Sequence, residues 1–174
     1  MIRFQTATPI NAPEIANLVN SAYRGEYSKQ GWTTEATILG GQRTDAAAIL
    51  ALINAPLNQV EIAYEQDQNI IIGSVHLIQE TPNTIYFGML TVEPKIQAKG
   101  IGKILLNHIE NVAIGYGYKR IRFTVIPTRT ELVAFYERRG FNPTGKFEPF
   151  PDNEPKFGRP KISGLILKEY EKFI

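Results

Sequence analysis

The sequence predicts an α/β fold in which helices flank a central mixed sheet, mostly antiparallel with one parallel pair. Three observations carry that expectation. The segments 60–64, 70–78 and 84–92 are strand-like runs joined by short turns, which argues for an antiparallel meander. The 84–92 run then feeds a glycine-rich turn, an amphipathic helix pattern and a further apolar run, Arg120 to Ile126. Such a βαβ connection sets its two strands parallel. The 174 residues show no repeat or linker, so residues 1–174 read as one domain with a sizeable core.

Taken in order, Ile2 to Ala7 reads as the first strand. Asn11 then reads as a helix cap, with Pro13 in the first turn and Glu14 at the capping-box position. Ile15, Leu18, Val19 and Ala22 share one helical face, so the helix runs to about Tyr23. Residues 24–43 are irregular and hold four glycines, Tyr27 and the single tryptophan, Trp32. Thr44 and Asp45 cap a short helix through Ile53. Asp67-Gln68-Asn69 is the turn between the next two strands, and Gly73 marks a possible bulge in the second. After the 100–117 helix and the Arg120–Ile126 strand, Thr130 reads as the cap of a helix ending at Gly140. Phe141 opens another strand. Residues 143–160 are rich in proline and phenylalanine and read as a packed loop, with Ile162 to Tyr170 as the last strand.

Composition narrows the function classes. Hydrophobic residues make up 43% and charged residues 21%, an ordinary globular balance, and the formal net charge of +2 gives no case for nucleic acid. The chain has no cysteine, which excludes disulfides, thiolate metal sites and a cysteine nucleophile. It fits a cytoplasmic setting. No apolar run approaches the roughly 18 residues of a membrane helix. The start, Met1-Ile2-Arg3-Phe4-Gln5, reads as a strand with no signal peptide, and His76 and His108 stand apart from any ligand-like cluster, which argues against a metal site.

The chemistry lies in Val92-Glu93-Pro94-Lys95-Ile96-Gln97-Ala98-Lys99-Gly100-Ile101-Gly102-Lys103. A strand ends, glycines turn, and a helix opens. The first N–H groups of a helix lack intrahelical partners and sit at the positive end of its dipole. Glycines let an anion approach the backbone, and Lys99 and Lys103 add charge, so the stretch is a candidate phosphate cradle. It is not a Walker loop, because Gln97 and Ile104 stand where glycine and a hydroxyl residue are needed. It is not a dinucleotide fingerprint either, because Leu105 occupies the third glycine position.

Gln97-Ala98-Lys99-Gly100-Ile101-Gly102 after Val92-Glu93-Pro94 resembles the pyrophosphate loop of the GNAT N-acetyltransferases. A second segment, Glu131 to Phe141, is similar to that family's tyrosine helix: Tyr136, Gly140 and Phe141 match, while Arg129 and Leu132 replace an asparagine and an alanine. The order of elements over most of the chain agrees. More narrowly, Gly31-Trp32-Thr33-Thr34-Glu35, Gly41-Gln42-Arg43, Thr144-Gly145 and Pro149-Phe150-Pro151 resemble a branch of microbial and fungal members named by fold, not by acceptor.

The resemblance implies acetyl transfer from acetyl-CoA to an amine by direct attack. Strands 84–92 and 120–126 would splay to hold the pantetheine against the backbone at Leu90 and Val92. The N–H groups of Gln97, Ala98, Lys99, Gly100, Ile101, Gly102 and Lys103 would bind the pyrophosphate. Tyr136 is then the candidate general acid for the leaving thiolate, with a packed core aromatic as the plain alternative. For the general base, Glu35, Glu93 and a water chain are all open, and Tyr86 stands where some members carry a glutamate. Acceptor contacts are expected from Tyr27, Trp32, Glu35, Tyr86 and Phe150. Trp32 and Glu35 read equally well as core packing and a solvated charge. Aromatics with a carboxylate suit a cationic amine, which fits a polyamine, amino-acid derivative, amino sugar or peptide N-terminus. A homodimer fits the family. A non-catalytic acyl-CoA-binding or sensing module on the same fold is the competing reading.

Overall fold

In the computed structural model, which describes residues 1–65 and 68–174, the elements run β1 (Ile2–Thr6), α1 (Ala12–Tyr23), α2 (Gly25–Ser28), β2 (Leu39–Gly40), α3 (Ala46–Asn54), β3 (Asn58–Glu65) and β4 (Ile70–Thr81). They continue as β5 (Thr84–Val92), α4 (Ile101–Gly115), β6 (Arg120–Val125), α5 (Thr130–Glu137), β7 (Asn142–Pro149), β8 (Arg159–Pro160) and β9 (Ile166–Phe173). Seven strands form one sheet in the order β1-β3-β4-β5-β6-β9-β7, and β2 and β8 form a small second ladder. Among the described residues only β5 and β6 pair in parallel. The mixed, mostly antiparallel sheet expected from the sequence is therefore present.

Alternation along the strands builds two cores. Val60, Ile62, Tyr64 and Ile71 face Ile15, Val19 and Ile49 of α1 and α3. On the other face Val75, Leu77, Ile85, Phe87, Ile121 and Phe123 pack with Leu106, Ile109 and Ala113 of α4, and with Tyr136, Phe141 and Tyr170. Gly73 lets α4 approach, because a Cβ there would lie 2.9 Å from Leu105 Cδ1 and 3.1 Å from the Thr91 carbonyl. The β3–β4 register shifts beside it, between Ala63 and Tyr64, so the expected bulge is found next to the glycine.

Several boundaries differ from expectation, each for a local reason. Asn11 is not the side-chain cap of α1. Its Oδ1 accepts from the backbone N–H of Thr8 at 2.9 Å and closes a capping box on a preceding 3-10 turn, Pro9–Asn11. Glu14 accepts instead from Ile71 N–H at 3.2 Å. Asp45 does cap α3, accepting from Ala48 N–H at 2.8 Å. Thr130 is the first residue of α5, and Arg129 is the residue before it. Residues 143–160 are not all loop, because β7 occupies Asn142–Pro149. It sits at the sheet edge, where Pro143 and Pro149 cost few ladder bonds. The last strand begins at Ile166, not Ile162, after bends at 161–164. Asp67, assigned above to a turn, lies outside the described residues.

His76 on β4 is buried, and its Nε2 lies 2.6 Å from Asn58 Oδ1. Burial, and then the positive charge of Arg43, lower it from 6.5 to about 4. Between those values the unfolded ring takes a proton that the folded ring refuses. Stability is therefore complete above pH 6.5, falls as the pH drops toward about 4, and levels off below. The loss is on the order of a few kcal/mol. Urea denaturation at stepped pH is expected to show this slope, and His76→Gln to flatten it. An unchanged slope in the variant would rule out His76 as the source.

Candidate active site

The parallel pair is short. Thr84, Ile85 and Tyr86 pair with Arg120, Ile121 and Arg122, and pairing stops there although both strands continue. On its other side β5 slips register against β4, and Met89 takes φ of 48°. The slip lies at Met89 and Leu90, so the strand bends where it leaves β6. The opening between β5 and β6 is the splay expected above.

Two cavities meet in that opening. One, of about 340 Å³, runs along the loop before α4 and is lined by Trp32, Val92, Gln97, Ala98, Gly100, Gly102, Lys103, Phe135, Arg138 and Arg139 among others. The second, of about 450 Å³, lies under Tyr86, Phe150, Phe157, Glu35 and Arg43. Tyr23, Leu90, Arg129, Leu132 and Tyr136 line both.

The loop has the strained geometry of an anion cradle. Ala98 adopts φ of +61°, and Gly100, at the helix N-cap, +86°. The first α-helical bond of α4 runs from Ile104 N–H to the Gly100 carbonyl at 3.1 Å, which leaves the N–H groups of the first turn directed outward. Gly102 faces Phe135, whose Cζ would be 3.3 Å from an added Cβ. Gln97 stitches the loop to its surroundings: its Oε1 accepts from Thr33 N–H at 3.1 Å and its Nε2 donates to the Val92 carbonyl at 3.1 Å. Gly31 leaves room for this side chain, because a Cβ there would lie 2.5 Å from Gln97 Oε1 and displace it.

Tyr136 comes to the junction on α5, packed against Phe123 at 4.1 Å and Phe87 at 5.9 Å between ring centroids. It is 4% exposed, and among the described residues its hydroxyl has no hydrogen-bond partner. Burial, then the neighbouring Tyr23, push this phenol well above its ordinary value, with Arg129 opposing. It therefore keeps its proton at neutral pH. Tyr23 donates its hydroxyl to the Leu90 carbonyl at 2.9 Å and is also pushed up, by burial and then by Glu35.

Glu35 is 8% exposed and accepts from Arg24 Nη1 at 2.6 Å and from Arg129 Nη1 at 2.8 Å, one arginine on each oxygen. Arg129 Nη2 reaches Thr33 Oγ1 at 2.8 Å, and Arg24 Nη2 reaches the Phe157 carbonyl at 2.8 Å. Gly158 makes room for this second arm, because a Cβ there would be 2.7 Å from Arg24 Nη2. The two guanidiniums thus join the end of α1, the 30s loop, the start of α5 and the segment beyond β7.

Other residues singled out from the sequence lie elsewhere. Tyr27 and Glu93 line neither cavity. The Tyr27 hydroxyl donates to Glu93 Oε1 at 2.6 Å on the outer side of the loop. Trp32, 44% exposed, lies on the loop side against Phe135 at 5.9 Å and does not line the second cavity. Tyr86 and Phe150 do line the second cavity, and the Tyr86 hydroxyl lies 3.1 Å from Thr124 Oγ1. Tyr23 and Arg43 carried no signal as site residues in the sequence. Tyr23 closes the expected first helix, and Arg43 stands only in Gly41-Gln42-Arg43, one of the segments of the narrower family resemblance. Replacing Glu35 by Gln leaves two buried guanidiniums without a counter-charge. It is expected to destabilise the protein by about 3–5 kcal/mol. Chemical denaturation measures this, and a loss below about 1 kcal/mol would show that the pair is not a structural strut.

Among the described residues no group of acidic, histidine or cysteine side chains could hold a metal, and no helix is long and apolar enough to cross a membrane. No curated protein matches the sequence. Solved structures do match in fold. An N-acetyltransferase from Staphylococcus aureus superposes with a TM-score of 0.75 at 19% identity, over 99% of this chain and 97% of that one. The ribosomal-protein-S18-alanine N-acetyltransferase of Escherichia coli gives 0.70 at 13% identity, over 100% and 94%. A GNAT family acetyltransferase from Elizabethkingia anophelis, with acetyl-CoA bound, gives 0.58 at 22% identity, over 68% and 77%. The family model for the acetyltransferase (GNAT) family matches residues 13–141, from the first helix through the tyrosine helix and its closing Gly140-Phe141. With the cradle, the splay and Tyr136 all inside that span, the chain belongs to the acetyltransferase (GNAT) family.

Proposed function

We propose that the protein transfers the acetyl group of acetyl-CoA to the primary amine of a small molecule or peptide. The observation that carries this reading is the meeting of two cavities beneath Tyr136, one of them ending on the anion cradle. The pyrophosphate lies on the backbone N–H groups from Ala98 to Lys103, with Lys103 adding charge, whereas the Gln97 N–H, expected from the sequence to join them, already donates to the Pro94 carbonyl at 3.2 Å. The pantetheine follows the opening between β5 and β6, past Val92 and Leu90, and brings the thioester to the junction. A solved family member of the same fold carries acetyl-CoA, which supports the choice of donor.

The acceptor nitrogen enters from the second cavity as the free amine and attacks the thioester carbon. A C–N bond forms and the C–S bond breaks, with the electron pair leaving on sulfur. Tyr136, which burial keeps protonated, gives its hydroxyl proton to that sulfur. The proton lost by the amine leaves through water, and water returns a proton to the Tyr136 oxygen. Glu93 is tied to Tyr27 outside the cavities, and Glu35 is committed to two arginines, so neither is assigned as the base. Backbone donors freed by the bend at Met89 and Leu90 would steady the developing oxyanion.

The test is thiol release from acetyl-CoA across a panel of amines. The chain holds no cysteine, so the background is low. Tyr136→Phe is expected to lower kcat by about 10²-fold or more while acetyl-CoA still binds with unchanged affinity. A variant with full kcat would remove Tyr136 from the chemistry. Binding of acetyl-CoA with no release for any amine would favour the non-catalytic binding module.

A further inference from the structure

The buried wall of the second cavity offers a cationic acceptor no free carboxylate. Its one buried carboxylate, Glu35, is neutralised by Arg24 and Arg129. Two further carboxylates, Glu148 and Glu154, stand exposed at the rim, and Glu154 is bound to Lys156 at 2.9 Å. Arg43, half-buried in the same wall, has no acidic partner among the described residues. Of the side chains lining the cavity, Arg129 is spent on Glu35 and Glu154 on Lys156, which leaves Arg43 in the wall and Glu148 at the exposed rim. Within the wall the charge left for a ligand is therefore the Arg43 guanidinium, which suits an anion.

Arg43 is also held in place for such a role. Its backbone N–H donates to Asn20 Oδ1 at 2.8 Å, Thr44 N–H donates to the same oxygen at 3.1 Å, and Asn20 Nδ2 donates to the Thr44 carbonyl at 2.8 Å. Its guanidinium carbon lies over the Tyr23 ring at 5.8 Å and over the Phe157 ring at 5.7 Å. Aromatic faces hold the plane of an arginine and leave its N–H edge for a carboxylate or another oxyanion. Tyr23 is one of the residues common to both cavities, so Arg43 lies one aromatic ring away from the junction.

We infer that the acceptor is an amine bearing an anionic oxyacid group, which docks on Arg43 while its nitrogen reaches the junction at Tyr136. The inference rests on the transferase reading for the fate of the nitrogen, but not for the binding of the anion. Amino acids and their sulfonate and phosphonate counterparts share the required chemistry. Amino sugars and polyamines lack it.

The experiment pairs each acid with a partner that lacks the negative charge: glycine with glycinamide, phenylalanine with phenylalaninamide, taurine and 2-aminoethylphosphonate with ethanolamine, and spermidine alongside. Thiol release gives kcat/KM, and calorimetry on the coenzyme-A-loaded protein gives binding without chemistry. At least one acid is expected to exceed its uncharged partner by roughly 10- to 100-fold in kcat/KM. In Arg43→Gln that ratio is expected to collapse toward one, mainly through KM, and Arg43→Lys should keep part of it. Melting temperatures of the variants report whether they fold. Transfer to spermidine or to the uncharged partners as good as to the acids would overturn the inference, as would a ratio that survives Arg43→Gln. If no amine releases thiol, the transfer reading fails on this panel and calorimetry decides alone. Acid binding that disappears in Arg43→Gln upholds the anion site, and absent or unaltered binding overturns it.

Discussion

A single carboxylate between two guanidiniums holds the working parts together. Glu35 sits where four stretches of chain converge, and each arginine carries a second bond outward, to Thr33 on one side and to the Phe157 carbonyl on the other. Burying three charges is costly, and the arrangement is favourable only because the geometry satisfies nearly all of them together. The return is spatial. The start of α5, and with it Tyr136, is fixed relative to the end of α1 and to the wall that carries Phe157. Without that strut the two cavities would share no defined boundary.

The donor side follows a different constraint. Left-handed backbone recurs along this opening, at Met89, Ala98 and Gly100. The slip at Met89 and Leu90 shifts the register with β4, which resumes at Thr91 and Val92, as β5 parts from β6, and the left-handed residues before α4 turn the chain into the helix whose first residues border the gap. Gly73 permits the other half of this arrangement by letting α4 press onto the sheet. A non-glycine residue in the left-handed region, as at Met89 and Ala98, persists only where its surroundings over-determine it.

What the sequence made legible was local. The meander, the βαβ crossover and the glycine turn each have a short-range signature in hydrophobic period and breaker residues. The strand at 142–149 was hidden because Pro143, Gly145 and Pro149 are strand breakers everywhere except at a sheet edge, and edge position is a tertiary fact. The site was half legible for the same reason. Gln97 to Lys103 and Tyr136 lie in contiguous motifs. Glu35 and Arg129 are 94 residues apart in sequence, and nothing in either segment announces the other. A carboxylate beside a tryptophan invited a reading as a substrate contact, whereas its charge is spent internally and the unpaired charge nearby has the opposite sign.

The wall common to both cavities also bears on how this chain can change. Tyr23, Leu90, Arg129, Leu132 and Tyr136 face the two chambers at once, so drift at any of them alters both binding steps together. Phe150, Phe157, Glu148 and Arg43 face only one. A descendant acquiring a new acceptor can rewrite that outer group one residue at a time while the shared wall stays fixed. Divergence of specificity in such a scaffold is therefore confined by geometry to the far side of the partition.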